Sequence, residues 1–180
     1  MIITNDEEAL RVECENVLPE EIGELRETLE RELNYCNRLG RSGIGLAAPQ
    51  IGIKKKMAII RLENNSDYNL DLINCNIVKG FDKKIFRSEG CLSFPGKIED
   101  TSRFQELHII DNHTNPEKFI VTGLMAVAVQ HELDHLSGIL FFDHKIKKME
   151  LVKNTLKVRP NEQCFCGSFK KFKKCHGKAA

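Results

Sequence analysis

Leu124-Met125-Ala126-Val127-Ala128-Val129-Gln130-His131-Glu132-Leu133-Asp134-His135 is the stretch on which the fold turns. Its first six residues are apolar without a break, so a helix built from them has no polar face and is buried on every side. A helix is expected over 124–137, with Gly138 as its C-terminal stop. The last five residues quoted read H-E-x-x-H. Positions i and i+4 share a helix face, so His131 and His135 can hold one metal ion between them. Glu132 stands beside them, where a carboxylate can take a proton from a water at the metal. The same residues on an exposed helix need bind nothing. Burial separates the two readings, because buried imidazoles require partners and a metal supplies one to both.

Around this helix the chain reads as short elements. Residues 19–39 form a helix: Pro19 suits its first turn, Glu20 and Glu21 suit its positive end, and Gly40 ends it. Ile22, Leu25, Leu29, Leu33 and Cys36 make its apolar stripe. Residues 43–52 read as a glycine-rich loop. Residues 57–62 and 70–78 read as strands, and 105–110 with 118–121 as a hairpin around Asn112-His113-Thr114-Asn115-Pro116. Residues 139–142 read as a short strand and 145–157 as a basic helix, with Arg159-Pro160-Asn161 as a boundary. Antiparallel strands packed around one buried central helix carrying H-E-x-x-H give an α+β fold.

A chain of 180 residues with 41% apolar content fits one domain with a small appendage. No run approaches the ~18 apolar residues of a membrane helix, and the acidic N-terminus carries no targeting pattern, so a cytoplasmic protein without membrane partners is expected. Seven cysteines without framework spacing indicate thiols or metal ligands rather than disulfides. Residues 1–144 hold 16 Lys and Arg against 24 Asp and Glu, a balance of −8, while residues 145–180 hold 11 against 2, a balance of +9. An acidic body with a basic tail points either to a polyanionic partner for the tail, nucleic acid being the usual one, or to a tail kept solvated by its charge.

A catalytic zinc-type site takes three protein ligands and leaves a position for water. The sequence continues as H-E-x-x-H-x-x-G-x-x-F, and Phe141 stands where a metzincin protease has its third histidine. The only later glutamates are Glu150 and Glu162, both in the basic tail. The third ligand is therefore sought upstream. Cys91, in Ser88-Glu89-Gly90-Cys91-Leu92-Ser93-Phe94-Pro95-Gly96, is the best candidate, although a buried structural thiol is the commoner role for a cysteine. A third segment, Gly43-Ile44-Gly45-Leu46-Ala47-Ala48-Pro49-Gln50, has small residues that permit close backbone approach.

Taken in order, G-x-G-x-A-A-P-Q, E-G-C-L-S and Q-H-E-x-D-H resemble the three motifs of the peptide deformylases, over roughly residues 1–145. The resemblance implies a metallo-amidohydrolase that removes the formyl group from N-formyl-methionyl nascent peptides. It implies Cys91, His131 and His135 as metal ligands, Glu132 as acid-base, and the Gln50 side-chain amide with the Leu92 backbone N–H as oxyanion donors. Gly45, with Gly43 and Ile44, would bind the substrate backbone. Ferrous iron is the implied metal, with Zn²⁺ or another divalent ion able to substitute. Ile44, Leu92, Phe94, Leu124 and Val127 are candidate walls of a methionine pocket or plain core. Glu89 and Arg103 either pair to fix the Cys91 loop or form a surface ion pair, and Asp134 either holds a histidine or caps a turn. A non-catalytic peptide binder would not need Cys91, Glu132, Gln50 and both histidines together.

The tail, Asn161-Glu162-Gln163-Cys164-Phe165-Cys166-Gly167-Ser168 followed by Cys175-His176-Gly177, resembles the SEC-C motif, which also ends the bacterial preprotein translocase ATPase. Cys164, Cys166, Cys175 and His176 would then form a closed structural zinc site that supplies the folding energy of a segment with almost no core. The organisation expected is a catalytic domain over 1–145, a basic helix or linker over 146–159 and a zinc module over 160–178. Ribosomal RNA, or another partner in translation or export, is the expected target of this tail.

Overall fold

The computed structural model describes residues 1–62, 69–113, 117–146 and 171. The chain divides into two units, Met1–Lys145 and Ile146–Ala180. Cys164, Cys166, Cys175 and His176 lie outside the described residues, as does the expected basic helix beyond Ile146. Lys145 itself is extended (ψ 140°) and forms an isolated bridge to Thr101.

A short helix α1 (Glu7–Leu10) opens the first unit. A 3-10 turn over Pro19–Glu21 leads into α2 (Ile22–Arg38), which ends before Gly40 at φ 76°. The stripe expected from the sequence is its buried face: Ile22, Leu25, Leu29, Leu33 and Cys36. Three strands, β1 (Gly45–Ala47), β2 (Met57–Ile60) and β3 (Leu70–Ile73), form an antiparallel sheet in the order β1-β2-β3. A second antiparallel sheet contains β4 (Asn76–Gly90), β5 (Ile98–Asp111) and β6 (Glu117–Thr122), again in chain order. Helix α3 (Gly123–Leu136) follows β6 directly.

Two clusters explain why β2 is apolar at every position. Met57 and Ile59 pack with α2 through Leu25, Leu29 and Leu33, while Ala58 and Ile60 pack with α3 through Ala126, Val129 and Leu133. The α3 cluster also takes Leu107 and Ile109 from β5, so both sheets rest on this helix. A third cluster joins Leu10, Phe94, Leu140, Phe141 and Phe142. Each fully buried aliphatic or aromatic side chain of this kind contributes about 1.5–3 kcal/mol.

Three expectations are corrected. Residues 43–52 are not simply a loop: β1 pairs with β2, and a 3-10 turn over Ala48–Ile51 follows, closed by Gly52 at φ 82°. Residues 70–78 are not one strand. Asn74 adopts φ 53° and its side chain bonds both Val17 N–H (2.8 Å) and Val17 C=O (3.0 Å), which turns the chain between the two sheets. Residues 139–142 are not a strand but lead into a 3-10 turn over Phe141–His144. The apolar side chains there fill the third cluster, and Asp143 accepts from Leu140 N–H (2.9 Å) while Arg11 holds it at 2.7 Å. No helix among the described residues is long and apolar enough to cross a membrane.

Candidate functional site

The C-terminal end of α3 is fixed at its histidines. Gly138 takes φ 68°, its N–H donates to His135 C=O (3.2 Å), and Ile139 N–H donates to Asp134 C=O (2.9 Å). This paired closure satisfies carbonyls that the helix end leaves open. A Cβ at Gly138 would meet the backbone of Arg11 and Val12 at 3.1 Å, so with its positive φ a larger residue there is strained and crowded.

Opposite the helix, β4 ends at Gly90 and the chain turns through Cys91, where Phe94 N–H donates to Cys91 C=O (3.0 Å). Cys91 Sγ lies 3.2 Å from His135 Nε2. The ligand atoms of Cys91, His131 and His135 all fall within 4.8 Å of one another. His131 Nδ1 lies 2.7 Å from Glu89 Oε1, which makes Nδ1 the donor and leaves Nε2 as a lone pair for a metal. Phe141 packs its ring 6.0 Å from that of His131. Behind Glu89, Arg103 donates to both carboxylate oxygens (2.9 and 2.6 Å) and Thr101 adds a third hydrogen bond. Arg103 also donates to Asp134 (2.5 Å), and His144 lies 3.0 Å from the same Asp134 oxygen. Arg103 is 1% exposed and Glu89 4%, so this is a buried brace and not a surface ion pair.

Burial pushes the Glu89 carboxyl up, but the hydrogen bonds from His131 and Arg103 outweigh it and bring it to about 2. His131 shows the same balance with opposite sign: burial lowers it, yet Cys91 and Glu89 raise it well above an ordinary imidazole. Burial holds His135 well below that value, assisted by the charges of His131 and Arg103. The pocket between Cys91 and Glu89 thus favours a positive charge. Together with one sulfur and two imidazole nitrogens facing each other, that fits a divalent ion. Glu132 Oε2 is buried without a hydrogen-bond partner among the described residues, as expected where a ligand completes a site.

Glu132 faces β1: a Cβ placed on Gly45 would lie 2.3 Å from Glu132 Oε1. Burial raises the Glu132 carboxyl to about 7. Gln50, 2% exposed, accepts from Ala47 N–H at Oε1 (2.8 Å), which turns its Nε2 toward Ser93 Oγ (3.1 Å) and Cys91 Sγ (3.5 Å). Leu92 N–H makes no hydrogen bond among the described residues. Arg61 N–H donates to Ile44 C=O (2.7 Å), so on β1 the groups of residues 44 and 46 face β2. By alternation those of Gly45 face the free edge. Gly43 differs: the Asn37 side chain takes its N–H (2.9 Å) and its C=O (3.2 Å), and a Cβ there would strike Leu92 at 2.5 Å. The structure therefore gives Gly43 a packing role, while Gly45 keeps an open edge.

A cavity of about 550 Å³ opens between these elements, lined by Gly43, Ile44, Gly45, Gln50, Cys91, Leu92, His131 and Glu132. Phe94, Leu124 and Val127 complete the apolar wall anticipated for a methionine side chain. Sequence reading missed Asn37, Ser93 and Thr101. Thr101 and Arg103 alternate along β5, and that period of two was the one signal that could have placed them on one face.

A model of the polypeptide deformylase family matches residues 1–151, and one of the SEC-C motif matches residues 161–178. Peptide deformylase 2 of Vibrio cholerae is 40% identical over 105 residues, which span 57% of this chain and 62% of that protein. Peptide deformylase 2 of Vibrio vulnificus is 35% identical over 150 residues, or 79% of this chain and 84% of that one. The crystal structure of a peptide deformylase from Synechococcus elongatus in complex with actinonin is similar with a TM-score of 0.71 at 31% identity, covering 87% of this chain and 84% of that one.

Proposed function

The chain belongs to the polypeptide deformylase family, hydrolases that remove the N-formyl group from nascent peptides, and we propose that it releases formate from N-formyl-methionyl peptides at the Cys91–His131–His135 site. The observation that carries this reading is a clustered donor set of which Cys91 and His131 border the same cavity as the buried Glu132 carboxylate and the Gln50 amide, with His135 behind them. Cys91, His131 and His135 would hold a ferrous ion, or Zn²⁺ or another divalent ion in its place. A divalent ion bound there would acidify a water and polarise the formyl carbonyl.

The chain's own residues supply the rest. The free edge of Gly45 pairs with the peptide backbone, which gives affinity without reading sequence and suits an enzyme that acts on many proteins. The methionine side chain enters the apolar wall of Ile44, Leu92, Phe94, Leu124 and Val127. Glu132 takes the proton of the attacking water and returns it to the leaving amine. A carboxyl raised to about 7, before the charge of a bound ion is counted, can do both near neutrality. Gln50 Nε2 and Leu92 N–H donate to the oxyanion, and loss of one such donor typically costs about 3 kcal/mol of barrier. Formate release from formyl-Met-Ala-Ser, compared between the metal-loaded parent and Glu132→Gln, tests the assignment. Turnover by the parent and a loss of several hundredfold in the variant are expected, on the order of a missing acid-base group. No formate from the parent overturns the function; full activity in the variant removes Glu132 from its role.

The tail carries a separate part of the proposal. Cys164, Cys166, Cys175 and His176 bind a structural zinc ion, and the module tethers the cytoplasmic enzyme to ribosomal RNA. The SEC-C match and the +9 balance of residues 145–180 support this. Ribosome co-sedimentation of the full chain against Cys164→Ser/Cys166→Ser at low salt tests it. Equal recovery of the two chains would sink the tether.

A further inference from the structure

Six charged or titratable residues border the cavity: Arg41, Glu89, Cys91, Lys97, His131 and Glu132. The two carboxylates are buried, and Glu89 is neutralised by Arg103 and His131. The charge that the rim shows to solvent comes from Arg41 and Lys97, and both are cationic and exposed. No carboxylate among the described residues lies within 4.0 Å of either. Nearby Arg87, by contrast, is paired with Asp100. Lys97 holds its ammonium 3.2 Å over the Phe142 ring and 5.5 Å from that of Phe94, which places the charge at the rim without discharging it. These two cations stand on a body whose overall balance is −8 over residues 1–144.

Chain length bounds how far Arg41 lies from the reacting end, and Lys97 borders the same cavity. The reacting end of the peptide lies at Gly45, beside Glu132. Arg41 is four residues earlier in the chain, so at most about 13 Å further out at ~3.3 Å per residue. An extended peptide covers the same span in about four residues. We propose that Arg41 and Lys97 form a cationic collar that favours acidic side chains at the second to fourth residues of the formylated peptide. The proposal rests on the deformylase reading of this cavity. The rest of the acidic body repels such peptides, so the preference is confined to residues that reach the collar.

Formate release from four peptides tests it: formyl-Met-Ala-Ala-Ala-Ala-Ala-Ala-Ala with alanine throughout, with Asp-Asp at positions three and four, with Lys-Lys there, and with Asp-Asp moved to the last two positions. An exposed charge pair is worth roughly two- to fivefold, so kcat/KM for the near Asp-Asp peptide should exceed that for Lys-Lys by about tenfold at low salt. The difference should appear mainly in KM and shrink at about 0.5 M salt, where the screening length is only a few ångströms. In Arg41→Gln/Lys97→Gln the ratio should collapse toward one. The distant Asp-Asp peptide should gain nothing over the alanine peptide. Equal kcat/KM across the alanine, near-acidic and near-basic peptides overturns the collar, and so does a ratio that survives in the double variant. No formate from the alanine peptide overturns the deformylase reading itself and the collar with it, whereas formate without charge preference overturns the collar alone.

Discussion

Gly45 on β1 and Gly23 in α2 differ sharply in what a methyl group would meet. At Gly45 it would sit 2.3 Å from Glu132 Oε1 and 2.8 Å from Glu132 Cδ, so Gly45→Ala must displace the acid-base. A loss of about a hundredfold in kcat is expected from such a shift in geometry. At Gly23, inside α2, nothing lies within 4 Å, and alanine there should stabilise the fold by about 0.5–1 kcal/mol. Assaying formate release and Tm on both variants checks the pair; an active Gly45→Ala would contradict the placement of Glu132. Glu89 makes a second residue-scale case. Glu89→Gln keeps the shape but removes the charge that Arg103 and His131 share. Loss of a hydrogen-bonded carboxylate behind a ligand histidine typically lowers metal affinity about 10–100-fold. Competition with a chromogenic chelator would show this, and unchanged affinity would mean that His131 is oriented by other contacts. Cys91, His131, Glu132 and Gln50 were legible because fixed spacings put chemically matched groups into short motifs. Asn37, Ser93 and Thr101 were not, because each acts through a partner distant in sequence: six residues away for Asn37, twelve for Thr101 and 43 for Ser93.

Between elements, α2 is fastened to the first sheet by charge as well as by its apolar stripe. Arg61 bridges Glu30 on α2 (2.5 Å) and Asp71 on β3 (2.7 Å), and Arg26 on α2 reaches Asp71 at 2.5 Å. Burial pushes the Asp71 carboxyl up, but the hydrogen bonds from Arg61 and Arg26 prevail and hold it below its ordinary value. A carboxyl with a depressed folded-state value adds stability that is fully present above its unfolded value, about 3.9, and is lost as pH falls through the folded value. Asp71→Asn should therefore lower Tm at neutral pH, and the gap from the parent should close below about pH 4. Thermal melts across pH decide it: a gap that persists at about pH 2 would place the effect in packing. Helices α2 and α3 were legible because their apolar stretches are long and a glycine follows each, with proline ahead of α2, whereas the four-residue α1 was not. The sheets were read less well. β4 is an edge strand with exposed lysines, and left-handed residues at Asn74, Asp82 and Ser88 interrupt or flank it, which breaks the alternation that marks a strand.

For the molecule as a whole, the proposed pair of ligand sets would hold two metals with separable roles. The first unit ends at Lys145, and its donor set of Cys91, His131 and His135 is complete within it. The tail set of Cys164, Cys166, Cys175 and His176 belongs to the segment matched by the SEC-C motif. The change of charge sign near residue 145 falls where the first unit ends, because composition needs no knowledge of contacts, whereas the Arg159-Pro160-Asn161 boundary lies outside the described residues. If both sets bind, metal analysis of the purified full chain gives two equivalents. Cys91→Ser should lose one of them together with formate release, since it removes the only sulfur of the catalytic set. Cys164→Ser/Cys166→Ser should lose the other equivalent while formate release from a short peptide continues, because such a substrate needs only the first unit's cavity. A structural site with closed coordination exchanges slowly and a catalytic site keeps an open position, so brief chelation should strip activity before it empties the tail. A single equivalent in the parent, lost only in Cys91→Ser, would show that the tail thiols hold no metal. Loss of activity in the tail variant would show that the two units do not work separately.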